Sequence, residues 1–135
     1  MNLQSLKEHL LKLDQLSESI CQEAGYPQIN NPPQIEWNPD DPDEAMMYDE
    51  FRIILCHLLY IHRTLDYLQK PIIHSGRLHK DRSGRYTLDR ISLKHGMPVE
   101  VYSFDHESQQ HKWKLRYLES SSHLQGLAAR IRLMK

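Results

Sequence analysis

The chain has 135 residues, of which 39% are hydrophobic and 26% charged, a globular balance that excludes a disordered polymer. Its longest nearly apolar run, Ile53 to Ile61 interrupted by His57, falls far short of the roughly 20 residues that span a bilayer. The formal charge of −1 hides an asymmetry: residues 1–69 hold 4 Lys/Arg against 12 Asp/Glu, a net of −8, and residues 70–135 hold 13 against 6, a net of +7.

Such a division points to partners, not to chemistry. The N-terminal MNLQSLKEHL is amphipathic and lacks a signal-peptide apolar core. Cys21 and Cys56 lie within helical patterns and have no disulfide-framework spacing. A reduced, cytoplasmic protein with no membrane association is therefore expected. At this length one compact unit buries about two thirds of its unfolded surface, whereas either half alone is near the size at which a core is marginal.

Residues 1–69 read as an acidic antiparallel helical hairpin. In the first helix Leu3, Leu6, Leu10 and Leu13 step by 3, 4 and 3, Ile20 keeps the register, and Gly25 marks the end. The second helix carries a coiled-coil seam: Met47, Phe51, Ile54, Leu58, Ile61, Leu65 and Leu68 step by 4, 3, 4, 3, 4 and 3. Asp41 can cap it, Pro42 suits its first position, Glu44 completes a box-like spacing, and Pro71 ends it. Between them, residues 25–42 hold five prolines in eighteen residues, which prevents a helix. Ile29, Ile35 and Trp37 are too apolar for a free linker, so this loop is expected to strap back over the helices. Leu55 and Leu59 widen the second helix's apolar surface. Phe51, Ile54, Leu55, Leu58, Leu59 and Leu65 therefore form a candidate helix interface, facing either the rest of the chain or a second copy in a four-helix homodimer.

Residues 70–135 read as a basic β unit. Turn signals at Ser83-Gly84, His95-Gly96, Asp105 to Gln110 and Gly126 separate short alternating segments: Gly76–Lys80, Arg85–Leu88, Pro98–Phe104, His111–Leu118 and Leu127–Leu133. Five short strands predict a small SH3-like barrel, with an antiparallel meander as the alternative. The expected fold is thus α+β, a helical hairpin followed by a five-stranded barrel. Strand parity assigns Val99, Val101, Trp113, Leu115, Tyr117, Leu127, Ala129, Ile131 and Leu133 to the core. It gives the outer wall Lys112, Lys114, Arg116, Arg130 and Arg132, with Arg77 and Arg85 on earlier strands and Tyr102 and Phe104 beside them.

The segments YLQKP, GRLHKDRSGRYTLD, G-x-PVEVY and GLAARIRL, together with Trp113, resemble a bacterial domain-of-unknown-function family. Its members are small proteins often associated with plasmids and other mobile elements. The similarity covers about residues 65–133, with the GRY turn and the terminal G-L-x-x-R-I-R strand its most specific pieces. It implies the strand fold and a mobile-element setting. It carries no known activity, so no functional residue transfers from it.

Two partner classes fit the basic wall. Lysines and arginines alternating along strands could neutralise phosphates, with Tyr102 and Phe104 stacking on bases, as a nucleic-acid accessory protein would require. The same arginines and aromatics match the chemistry of protein interfaces, and a protein-interaction or inhibitor module is the leading expectation. No catalytic residue, metal site or cofactor is predicted. His57 and His62 are five apart on a helix and point about 140° apart. His74 and His79 fall on opposite strand faces, and His106 and His111 flank one hairpin loop. Cys56 and His57 are adjacent on a helix and diverge by about 100°, which rules out a nucleophile–base pair.

Overall fold

A computed structural model describes residues 1–25, 35–119 and 123–134. The chain divides into two compact units, Met1–Gln69 and Lys70–Lys135, the boundary expected from charge and periodicity.

The first unit is a helical hairpin. Helix α1 spans Leu3–Glu23 and starts at Asn2, whose side-chain oxygen accepts from the Ser5 amide at 2.7 Å, satisfying one of the orphan N–H groups of the first turn. It closes through Gly25 at φ 67°, a left-handed conformation that glycine adopts without a Cβ penalty. Helix α2 spans Pro42–Gln69. The Asp41 carboxylate accepts from the Asp43 amide at 2.9 Å, and the Asp41 carbonyl accepts from the Ala45 amide, so the predicted cap is in place. Trp37 stacks on Tyr48 with ring centroids 4.4 Å apart, which fastens the end of the connecting loop to α2. Ile35 is half-buried, and Ile29 lies outside the described residues.

The helices meet differently from the leucine-stripe expectation. Ser17, Cys21 and Leu55 are the buried residues of the pair, and Asp14 holds His62 at 3.0 Å between them. The Ser17 hydroxyl donates to the Leu13 carbonyl at 2.8 Å, so its polar group is satisfied inside the contact. Leu6, Leu13 and Ile20 of the predicted stripe remain exposed.

The second unit contains seven strands rather than five: β1 (Ile72–Arg77), β2 (His79–Lys80), β3 (Tyr86–Leu88), β4 (Ile91–Ser92), β5 (Pro98–Asp105), β6 (Gln110–Tyr117) and β7 (Ala128–Arg132). They form two open antiparallel sheets, one ordered β1-β7-β5-β6 and the other β2-β3-β4. The expected closed SH3-like barrel is therefore not formed. The physical reason lies at the edges. Strands β2 and β4 are two residues long, too short to extend a ladder around a barrel, and β6 pairs on one side only among the described residues.

The core sits between the sheets. Leu78, Tyr86, Leu88 and Leu93 from the small sheet and its flanks meet Val99, Val101, Ala129 and Ile131 from β5 and β7, and Leu118 joins them. Gly76 lets β1 approach β3: a Cβ there would lie 3.6 Å from the Leu88 Cδ1. The Tyr86 hydroxyl accepts from the Leu124 amide at 3.0 Å, so the tyrosine of the GRY segment is a core residue with its polar tip satisfied. In the preceding turn one Asp81 carboxylate oxygen accepts from the Ser83 amide, the Ser83 hydroxyl and the Arg85 amide. These bonds, the Ser83 hydroxyl foremost, hold the Asp81 carboxyl below its ordinary range.

Candidate functional site: an aromatic sheet face

The register of one hairpin decides what the large sheet presents. Strands β5 and β6 pair from Asp105↔Gln110 through Tyr102↔Trp113 to Pro98↔Tyr117. Cross-strand partners share a face, so Tyr102, Phe104, His111, Trp113 and Tyr117 project together. Strand β7 pairs Glu100 with Arg130 and Val101 with Ala129, and β1 pairs Ser75 with Arg130 and Arg77 with Ala128. Arg77, Arg130 and Arg132 therefore stand on the aromatic face.

This corrects the parity assignment. Val99, Val101, Ala129 and Ile131 are buried as expected, and Leu127 packs against the core, but Trp113 and Tyr117 are 38% and 58% exposed. Leu115 is half-buried and Leu133 exposed. Along β6 the two parities are exchanged: Arg116 lies opposite Val99, Lys114 opposite Val101 and Lys112 opposite Ser103. An edge strand beyond the small sheet's cover can carry long cationic side chains on its inner face, with stems over apolar surface and ammonium groups in water.

The predicted basic wall accordingly does not exist as one surface. Lys112, Lys114 and Arg116 lie on the opposite face from Arg77, Arg130 and Arg132. Arg85 sits in the turn before β3, on the other sheet. The cations are also engaged. Lys112 and Lys114 reach Asp105 at 3.1 and 3.0 Å. The Ser108 hydroxyl and amide, together with these two ammonium groups, hold the Asp105 carboxyl far below the usual carboxylate range.

On the aromatic face the organising group is Glu100, 6% exposed. Its Oε1 accepts from Arg130 Nε at 3.0 Å and its Oε2 from Arg132 Nε at 2.6 Å. Arg132 also donates through Nη1 to the Lys70 carbonyl at 2.9 Å. A carboxylate this buried is costly unless paired and hydrogen-bonded, and two guanidinium groups meet both needs. The pairing places the Arg130 guanidinium carbon 4.1 Å from the Trp113 ring centroid, within cation–π range. Trp113 meets Tyr102 at 5.3 Å, and Tyr102 meets His111 at 5.7 Å. Phe104 is flanked by His111 at 5.3 Å and His106 at 5.1 Å. The histidines of this loop thus pack on an aromatic ring.

Neither Trp113, Tyr117, His111 nor Glu100 is marked as a site by composition. Counting the register outward from the Asp105–Gln110 turn, where the Asp105 carboxylate accepts from the Ser108 amide at 2.9 Å, would have placed all four on one face. The candidate helix-interface residues divide. Leu55 is buried, Leu58 and Leu59 line the groove against Ser17 and Cys21, Leu65 lines a second groove against Leu6 and Leu10, and Phe51 and Ile54 are exposed. Among the described residues no group of three or more His, Cys, Asp or Glu side chains could hold a metal ion, and no helix is long and apolar enough to cross a membrane.

Comparisons with models of protein families, with curated proteins and with solved structures find no match to this chain.

Proposed function

We propose that the strand unit is a non-enzymatic protein-interaction module whose aromatic sheet face docks on an acidic, partly apolar surface of another protein. The observation that carries this reading is the ordered row of exposed Tyr102 and Trp113 with half-buried Arg130, held in place by Glu100. Trp, Tyr and Arg are the residue types that dominate protein–protein binding energy. A braced row also loses little side-chain freedom on docking. Three arginines against one carboxylate leave the face at a net of +2, which favours an acidic partner. The division of Lys112, Lys114 and Arg116 from Arg130 and Arg132, and the engagement of Lys112, Lys114, Arg130 and Arg132 by carboxylates, weaken the nucleic-acid reading. In the mobile-element setting implied by the family resemblance, such a module would serve as an inhibitor or adaptor.

The test places a photo-crosslinking amino acid at Tyr117, on the rim of the face, in producing cells. The expected adduct is with one protein, and that protein, once purified, binds wild type at least about thirtyfold more tightly than Trp113→Ala, the scale of a hot-spot truncation. Unchanged affinity of Trp113→Ala for the crosslinked protein overturns the proposal. So does salt-steep binding of a generic oligonucleotide at about 50 mM salt that is lost when Lys112, Lys114 and Arg116 are replaced by Ala.

A further inference from the structure

We infer that the helical hairpin is one half of a four-helix bundle, completed by the hairpin of a second copy of this chain lying antiparallel to the first. This surface is separate from the aromatic sheet face and does not depend on its role.

The inference begins with where the helices leave their apolar residues. On α1, Leu6, Leu13, Leu16 and Ile20 are 41–60% exposed, and on α2, Met47, Phe51 and Ile54 are 43–52% exposed. The contact between the helices is made instead by the line through Asp14, Ser17 and Cys21 and the line through Leu55, Leu59 and His62. At about 100° per residue, each exposed stripe sits roughly 80–90° around its helix from that contact line. In an antiparallel pair these rotations carry both stripes to the same side. At the open end of the hairpin an apolar groove of about 280 Å³ opens between the helices, lined by Leu6, Leu10, Leu65 and Leu68 among others.

The extent of this face fits a dimer. At their stated exposures the seven side chains present on the order of 700 Å² per protomer, close to the roughly 800 Å² per partner of a standard specific interface. A stripe in strict 3.5-residue register on α2 can face its own symmetry mate, as an isologous contact requires.

Charge selects the orientation. Asp14 lies level with His62, so the hairpin divides near Cys21 and Leu55: residues 22–25 and 35–54, at the loop end, carry eight carboxylates against Arg52, a net of −7; residues 1–21 and 55–69, at the open end, carry Lys7, Lys12 and Arg63 against Glu8, Asp14, Glu18 and Asp66, a net of −1. A parallel dimer sets the two −7 ends side by side, and like-charge juxtaposition is costly. The antiparallel dimer sets each acidic end beside the other copy's nearly neutral end. The two-fold axis then crosses the middle of α2, with α2 packing on its own copy.

Light scattering on the full chain at about 100 µM tests the mass, and one spin label per chain tests the orientation. Twice the chain mass is expected, falling to the monomer mass in Phe51→Asp/Ile54→Asp. With Cys21→Ala and Cys56→Ser as background, a label at Met46→Cys is expected to give an inter-protomer distance of about 30 Å, from 1.5 Å rise per residue over the stretch of α2 on either side of the axis. A wild-type monomer mass overturns the proposal, as does a dimer mass unchanged in Phe51→Asp/Ile54→Asp. A label distance under about 20 Å overturns the antiparallel arrangement and shows a parallel one.

Discussion

The two units are nearly equal in length and opposite in how they use it. The strand unit gathers nine buried hydrophobic residues into one cluster; the hairpin buries Ser17, Cys21 and Leu55 and leaves apolar side chains exposed along both helices. The contrast follows from geometry. Two sheets enclose a core between two layers, whereas two helices share a single line of contact and each keeps most of its circumference in solvent. One unit is close to self-sufficient, and the other is built for company.

Four perturbations test that contrast, helped by one tryptophan in each unit: Trp37 stacked on Tyr48 and Trp113 under Arg130. The largest effect is expected from Leu88→Ala, which empties a fully buried site of the strand core and should cost about 3 kcal/mol. In chemical denaturation the Trp113 transition of a Trp37→Phe background should move by that amount. The Trp37 transition of a Trp113→Phe background should move far less. Equal shifts at both reporters would break the distinction between the units. Glu100→Gln should cost nearly as much, about 2–3 kcal/mol by the same reporter, because it removes the charge shared by two part-buried arginines. It should also free the Arg130 guanidinium from its place over Trp113, seen as a change in Trp113 emission.

The third effect is stabilising. Arg90→Gly should raise stability by about 0.5–1 kcal/mol, since Arg90 holds φ 65° next to Asp89 at φ 50°, a conformation that L side chains resist. The fourth concerns pH. The Asp105 carboxyl titrates lower in the folded chain than in the unfolded one, so its contribution is complete at neutral pH. It fades as pH falls below about 4, where the unfolded carboxyl takes up its proton. Asp105→Asn should flatten that part of the acid limb of the Trp113 transition and leave the Trp37 transition in place.

Much of this organisation was legible in the sequence. The unit boundary, both helices, the Asp41 cap and the glycine end of α1 follow from local chemistry: proline geometry, capping oxygens and a fault-free repeat. What escaped reading depended on alignment between distant segments. The turn Asp89-Arg90 joins β3 and β4 as a two-residue hairpin with both central residues at positive φ, a task that Asn-Gly would have announced, so β4 was not anticipated. The faces of β6 turned on one register choice, and a single-residue offset exchanges every side chain between faces. Parity along one strand fixes which residues go together. It does not say which side they take.

The Glu100 cluster has a further consequence for how this sequence can drift. Losing Glu100 leaves two arginines facing each other, and losing either arginine leaves a buried carboxylate half-neutralised. Single replacements at positions 100, 130 and 132 therefore pass through a less fit intermediate, while a concerted exchange of all three for apolar residues does not. These positions should vary together among relatives of this chain or not at all, and the aromatic row resting on Arg130 should follow them.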